Sequence, residues 1–247
     1  MPDTLRSCIV AEEGFSFISL DAIQVELKVL AYLSQDSQMI EDVETGDIHT
    51  ATAIRMFGWT DDAEEMKSRR YKAKQGNFAE VYEIGDDGLA DLLECSLEEV
   101  QAFREERRKT YPRLYEWKDE VKAKAKEVGY VISMFGRIRP LPELHGGTWK
   151  VREKAEREIV NSIVQGTAVD IVKLAGLYMR SVLDYKVRFV LMVHDEWLFE
   201  CPDNILAQVI EQCKTLEQVF PNYPFKITVG KVYNRLTEVD KKEVNDV

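Results

Sequence analysis

An α+β fold, with an antiparallel sheet interrupted by a long helical insertion, is what this sequence predicts, and three observations carry that expectation. Strand-like runs gather near the two ends of the chain: Phe15 to Leu20, then Val187 to Val193, Trp197 to Cys201 and Phe225 to Tyr233. Only His194, Asp195 and Glu196 separate the second and third of these runs, so the two are antiparallel neighbours across a tight connection. Almost everything between them repeats at helical intervals, and no low-complexity stretch, long linker or internal repeat divides the chain.

Taken in order, Phe15 to Leu20 is an apolar run ending at Asp21, and Ile23, Leu27, Leu30 and Ala31 then recur at helical spacing. Asp21 is thus expected at a strand-to-helix junction. A second helix is predicted from Thr50 to Phe57. A third runs from Asp62 to about Tyr82, with Asp61, Asp62, Glu64 and Glu65 at its positive end and basic residues after them. Ser96 with Glu99 is a capping-box signature for a helix to about Thr110, and Pro112 opens another that ends near Gly129. Tyr130 to Leu141 predicts a hairpin about Phe135-Gly136. Trp149 to about Leu183 predicts a long helix with a break near Gly166, and Asn204 to Phe220 a final helix.

Composition narrows the class. Of the 247 residues, 45% are hydrophobic and 31% charged, with 13 Gly and 7 Pro, enough apolar mass for a core and too little Pro and Gly for disorder or collagen. No apolar run approaches the roughly 18 residues of a membrane span, and no basic-then-apolar leader opens the chain, so a soluble, cytoplasmic protein is expected. Cys8, Cys95, Cys201 and Cys213 form no CxxC pair and suit reduced thiols. The net charge of −11 by itself argues against nucleic acid, but it is unevenly spread: residues 1–66 carry 3 basic and 14 acidic groups, residues 67–190 carry 24 and 20, and residues 191–247 carry 6 and 10. The net +4 middle is modest for a duplex binder, since affinity scales with the phosphates neutralised.

Three constellations could carry chemistry. Asp21 and Asp195 both stand at expected strand ends. Two convergent carboxylates suit a pair of divalent cations that stabilise an in-line phosphoryl displacement, whereas taken singly they read as a helix N-cap and a hairpin-turn residue. His194 and Glu196 have ordinary turn readings as well. Arg70, Lys74, Phe78 and Tyr82 are spaced by four along one expected helix, presenting two cations and then two rings on one slowly winding face. That face is either a triphosphate clamp with a stacking surface or an amphipathic helix with a solvated basic end and two buried rings. Lys67, Arg69 and Lys72 lie on other faces, where a solvated role is expected. Arg157, Asn161 and Gln165, again four apart, either read minor-groove acceptors of a duplex or form an exposed polar face opposite Ile159, Val160, Ile163 and Val164.

In this order the constellations resemble the signature of family A DNA polymerases, the bacterial DNA polymerase I type. Asp21-Ala-Ile-Gln-Val-Glu-Leu resembles that family's motif A, Arg70-x3-Lys74-x3-Phe78-x3-Tyr82 its motif B, and Val193-His-Asp-Glu its motif C. Asp47-Ile-His-Thr-Ala-Thr-Ala, Gly129-Tyr-Val, Phe135-Gly-Arg and Gln165-Gly-Thr-Ala fit the connecting stretches, so the resemblance extends from about Leu5 to Val229. It implies a right-hand polymerase fold without thumb or exonuclease domain, divided into a first palm part over 1–33, fingers over 34–129 and a second palm part over 130–247. It also implies template-directed DNA synthesis by nucleotidyl transfer from dNTPs to the 3′-hydroxyl of a primer-template. Asp21 and Asp195, with the Ala22 carbonyl, would hold two Mg²⁺ or Mn²⁺ ions, with Glu196 as an auxiliary carboxylate. His49, Arg70 and Lys74 would grip the triphosphate, Lys74 also serving as general acid toward pyrophosphate. Phe78, Tyr82, Gln24 and Glu26 would complete the nucleotide site, Glu26 as a steric gate against a 2′-hydroxyl. Arg157, Asn161, Gln165 and His194 would contact DNA.

Several positions depart from the family pattern. Ala22 and Ile23 replace the usual Tyr-Ser, Ala79 and Glu83 replace glycines, and Glu83 is expected to bring an anion toward the template path. Gly76 costs up to about 1 kcal/mol inside the expected helix and is expected to soften it. Met1 lies about twenty residues before Asp21, which predicts one subunit of a split polymerase whose partner polypeptide supplies the thumb and N-terminal palm; together with the departures, the small size points toward a phage or other mobile element. The alternatives are a catalytically incompetent DNA-binding or scaffolding fragment, a nuclease using the same carboxylates, and a single-subunit RNA polymerase. The clamp helix argues against the nuclease and Glu26 against the RNA polymerase.

Overall fold

Strand β1 (Phe15–Ala22) is the middle strand of a five-stranded antiparallel sheet ordered β4-β5-β1-β6-β7, with β4 at Arg188–Val193, β5 at Glu196–Pro202, β6 at Ile227–Tyr233 and β7 at Lys242–Glu243. The computed structural model describes residues 8–44, 46–214, 227–233 and 242–243. A strand with partners on both sides and cover on both faces is expected to be apolar almost throughout. In β1, Phe17, Ile18, Leu20 and Ala22 are buried, and so are Ser16 and Ser19. The two buried hydroxyls donate to Asp203 Oδ1 at 2.7 Å and Glu196 Oε1 at 2.6 Å, which offsets their desolvation.

The chain divides into two units, residues 1–25 with 169–247, and residues 26–168. The first contains the sheet and the C-terminal part of helix α8 (Trp149–Val182). Trp197, fully buried on β5, donates its indole N–H to Val172 O at 3.1 Å. A Cβ on Gly176 would stand 3.0 Å from that indole nitrogen, so the glycine is what lets helix and sheet approach. A 3₁₀ turn (Asp203–Ile205) leads into α9 (Leu206–Lys214). The remainder of the helix expected to Phe220, and the first two residues of the strand expected from Phe225, lie outside the described residues.

The second unit is helical: α1 (Val25–Ser34), α2 (Ser37–Glu44), α3 (Ile48–Phe57), α4 (Ala63–Val81), α5 (Asp86–Leu93), α6 (Leu97–Thr110) and α7 (Pro112–Val128), then a small hairpin, β2 (Tyr130–Ile132) and β3 (Ile138–Pro140). Its helix starts follow the sequence signals. Asp62 accepts from Glu64 N and Glu65 N, Ser96 and Glu99 form the full capping box, and Gly129 at φ +78° closes α7. Asp36, 2% exposed, accepts from Met39 N at 3.0 Å, Arg113 N at 3.0 Å and Leu114 N at 3.3 Å. One buried carboxylate thus serves the N-termini of both α2 and α7. Helices α2 and α5, of eight residues each, were not expected.

The structure corrects several expectations. β1 runs through Ala22 and α1 begins only at Val25 after a turn with Gln24 at φ +50°, so Asp21 is a strand residue and not an N-cap. Helix α8 is unbroken at Gly166: the missing side chain makes room for Arg137 of the hairpin, which donates to Gly166 O at 2.5 Å, while Met134 N donates to Thr167 Oγ1 at 3.0 Å. Gly76 meets a packing demand that helix propensity does not show. A Cβ there would lie 2.7 Å from Phe103 Cζ, and Phe103 is held among Ala79, Leu89, Leu93 and Val100. Arg69, expected to be solvated, donates to the carbonyls of Phe57 at 2.5 Å and Gly58 at 2.8 Å and so closes the end of α3. Among the described residues no helix is long and apolar enough to cross a membrane.

The buried face of α4 is Ala73, Gly76, Asn77 and Glu80. Glu80 accepts from Lys118 Nζ at 3.0 Å, Tyr115 OH at 3.0 Å and Arg104 at 3.1 Å. Burial alone would raise its pKa, but the charges of Lys118, Arg107 and Arg104 and the hydrogen bond from Lys118 outweigh that and hold it down at about 2.

Two outcomes are expected. Alanine gains roughly 1 kcal/mol over glycine in a helix, yet overpacking a fixed core costs about 1–3 kcal/mol; Gly76→Ala should therefore lower the urea midpoint. Because the folded pKa of Glu80 is depressed, its contribution to stability is present above the ordinary value of 4.5 and is lost as pH falls toward about 2. Glu80→Gln should destabilise the chain at neutral pH and flatten this acid limb in denaturant titrations at stepped pH.

Candidate active site

The sheet brings the acidic residues together through register. Asp21 of β1 pairs with Glu196 of β5, and Ala22 N donates to Asp195 O at 3.0 Å. Strands β4 and β5 are joined by the two-residue turn His194-Asp195, in which His194 adopts φ +56°. Asp195 and Glu196 thereby face the end of β1, while Ser19 holds one Glu196 oxygen at 2.6 Å. The electrostatic consequence is clear: Asp21 is pushed up to about 6, first by desolvation and then by the charges of Asp195 and Glu196. Carboxylates that repel one another in this way are a hard-oxygen donor set suited to a divalent cation. Among the described residues no three His, Cys, Asp or Glu side chains form a complete cage. A metal held by this pair would therefore complete its shell with backbone oxygens, water or substrate phosphate, as Mg²⁺ commonly does.

The second unit assembles another group around the N-terminus of α3 and one face of α4. Asp47 caps α3 by accepting from His49 N at 3.1 Å, and the same carboxylate pairs with the Arg70 guanidinium. Burial would raise Asp47, but hydrogen bonds from Arg70 and Thr50 and the Arg70 charge hold it below the usual carboxylate range. The His49 and Phe78 rings lie 5.9 Å apart, Lys74 Nζ is 6.0 Å from the Phe78 centroid, and Phe78 stacks with Tyr82 at 6.5 Å. Tyr82 OH donates to Glu26 Oε2 at 3.2 Å. Arg70, Lys74, Phe78 and Tyr82 thus share a face with His49 and Glu26. The reading of α4 as an amphipathic helix with two buried rings fails: Phe78 is half-buried and Tyr82 is 40% exposed.

On α8, Arg157 is exposed and paired with Glu153 at 2.8 Å, and Asn161 and Gln165 are half-buried. Ile159, Val160, Ile163 and Val164 form the buried face, as their spacing implies. Glu83 gives its carboxylate to Lys118 at 2.7 Å and Lys122 at 2.6 Å. Those two lysines outweigh burial and keep it below the usual carboxylate range. Asn77 was missed. Fully buried, it donates toward His49 Nδ1 at 3.0 Å and accepts from Arg107 at 2.6 Å and Thr52 at 3.2 Å. No sequence signal sets it apart from Glu80, the other polar residue on the buried face of α4.

The sequence pattern of the family described as DNA polymerase family A matches residues 1–231. The thermostable DNA polymerase I of Thermus aquaticus is 38% identical over 230 residues, covering 92% of this chain and 28% of that protein. DNA polymerase I of Streptococcus pneumoniae serotype 4 is 36% identical over 220 residues, covering 87% of this chain and 25% of that one. The chain therefore spans between a quarter and a third of the length of these relatives. Among solved structures, the POL domain of Pol1 from M. smegmatis in complex with DNA primer-template and dNTP is similar with a TM-score of 0.84 and 29% identity, covering 94% of this chain and 42% of that one.

Asp47 is both a helix cap and the partner of Arg70. Asp47→Ala is expected to cost about 1 kcal/mol of stability, measured by denaturant unfolding at neutral pH, whereas Asp47→Asn, which keeps the cap, should cost less.

Proposed function

The chain belongs to DNA polymerase family A, and from that premise we propose that it carries out template-directed DNA synthesis, transferring nucleotidyl groups from dNTPs to a primer 3′-hydroxyl. The observation that supports this best is the register-imposed convergence of Asp21 with Asp195 and Glu196, with Asp21 pushed up to about 6. The bond formed is from the primer oxygen to the α-phosphorus; the bond broken is the one to the departing pyrophosphate. Asp21 and Asp195, with the Ala22 carbonyl, are the proposed holders of two Mg²⁺ or Mn²⁺ ions, and Glu196 stands beside them. Metal ions bound there would supply Lewis-acid stabilisation of the attacking and leaving oxygens.

The remaining roles belong to the chain's own side chains. Arg70, Lys74 and His49 are the proposed triphosphate donors, Arg70 exchanging Asp47 for phosphate. Lys74 can give a proton to the leaving pyrophosphate, which a guanidinium practically cannot. Phe78 offers a stacking face for the incoming base. Glu26, positioned by the Tyr82 hydroxyl, would crowd a 2′-hydroxyl, and Gln24 is a further proposed nucleotide contact. Arg157, Asn161, Gln165 and His194 are the proposed duplex contacts. In this reading residues 1–33 and 130–247 are palm and 34–129 fingers.

Primer extension with dNTPs and Mg²⁺ tests the reading, with the chain alone and mixed with a second polypeptide supplying a thumb and N-terminal palm. Extension should appear in at least one arm and fall on the order of 10²-fold or more in Asp195→Asn. Undiminished extension by that variant, or shortening of labelled DNA without nucleotides, would refute it. Glu26→Ala should raise ribonucleotide incorporation relative to deoxynucleotide by about 10-fold or more.

A further inference from the structure

We propose that Asn77 is a positioning residue that fixes His49 as the neutral tautomer carrying its proton on Nε2, and that Arg107 fixes the Asn77 amide in turn. The argument starts from Arg107, which is 2% exposed and whose guanidinium can only donate. It gives one N–H to Asn77 at 2.6 Å, so the amide atom it meets must be Oδ1; the flipped amide would set donor against donor. Thr52 Oγ1 lies 3.2 Å from the same oxygen. The other end of the amide, Nδ2, therefore faces His49 Nδ1 at 3.0 Å, and Nδ2 has only protons to offer. His49 Nδ1 must accept, which leaves the ring's single proton on Nε2. An imidazolium would carry a proton on both nitrogens and would break this bond.

The surroundings agree. Arg107 rests over the rings of Tyr111 at 4.9 Å and Phe103 at 5.6 Å, and its Nε and second terminal nitrogen have no hydrogen-bond partner, so the contact with Asn77 is the one polar anchor holding its head among the described residues. Burial pushes His49 down to about 4; Arg70, Lys74 and Arg107 add to that shift, and only Asp47 opposes it. On the proposed reading of this face as a triphosphate grip, His49 thus presents a neutral donor beside the two cations Arg70 and Lys74. Its contribution would not switch as pH crosses the range where a free imidazole charges.

Nitrogen-15 NMR of the full chain reads the tautomer directly, with the His49 signals assigned through His49→Gln. The expected result is an unprotonated Nδ1 and a protonated Nε2 from about pH 5 to pH 8. An Nδ1-protonated ring, or an imidazolium forming in the middle of that range, overturns the proposal. Asn77→Asp replaces the amide donor with an acceptor and should move a proton onto Nδ1, so that His49 titrates above its ordinary value; an unchanged tautomer in the folded variant overturns the proposal as well. Because Asn77 is fully buried, the wild-type spectrum stands as the test if that variant fails to fold. Inorganic triphosphate, added to the wild type, should shift Nε2 while leaving Nδ1 in place. A locked Nε2–H tautomer that ignores triphosphate supports the role of Asn77 and counts only against the triphosphate reading of the site.

Discussion

Antiparallel register between β1 and β5 sets the positions of the acidic groups. Because side chains alternate across a strand, pairing Asp21 opposite Glu196 leaves no freedom in where Ser19, Asp21 and the turn residue Asp195 fall. The hydrogen bond from Ala22 N to Asp195 O fixes the end of the ladder. A one-residue slip would take Asp21 to the other face and out of register with Glu196. The hydrophobic burial of Phe17, Ile18, Leu20, Trp197, Leu198 and Phe199 therefore holds together carboxylates that repel each other. The upward push on Asp21 comes first from desolvation and then from the charges of Asp195 and Glu196; core packing supplies the free energy, and the acidic cluster carries part of the cost.

Helix α4 meets a comparable constraint with different means. One face must admit Phe103 at a distance that only Gly76 allows. The same face buries Asn77 and Glu80, which would be costly without partners. Each is satisfied by donors from other helices: Glu80 by Lys118, Tyr115 and Arg104, and Asn77 by Arg107 and Thr52. With the buried face so tightly specified, the rotation of α4 is fixed, and Arg70, Lys74, Phe78 and Tyr82 emerge together beside His49. The polar core residues orient the functional face through the helix they share.

Legibility differed by the range of the interaction. The caps at Asp62 and Ser96, the Pro112 start and the Gly129 stop are local, and the corresponding helices begin and end where those signals lie. Asp36 is also a cap, but one of its two helices starts some seventy-five residues later, so no local pattern could reveal it. Gly76 and Gly166 read locally as weaknesses because propensity counts only the helix they sit in. What they accommodate, Phe103 and Arg137, comes from distant segments. For Glu83 the identity is local information, while its lysine partners on α7 are not.

The sequence by itself determined the α+β class, the order of most elements, the membership of Arg70, Lys74, Phe78 and Tyr82 in one helix face, and, through ordered motifs, the family to which the chain belongs. These rest on periodicity, capping and spacing, which are properties of neighbouring residues. Only the tertiary structure decided which β1 residue faces Glu196, why Gly76 is needed, where the Glu83 carboxylate goes and which ring nitrogen of His49 is protonated. Each of these depends on a pairing between segments far apart in the chain, where a shift of one residue or the flip of one amide reverses the chemistry without changing any local pattern.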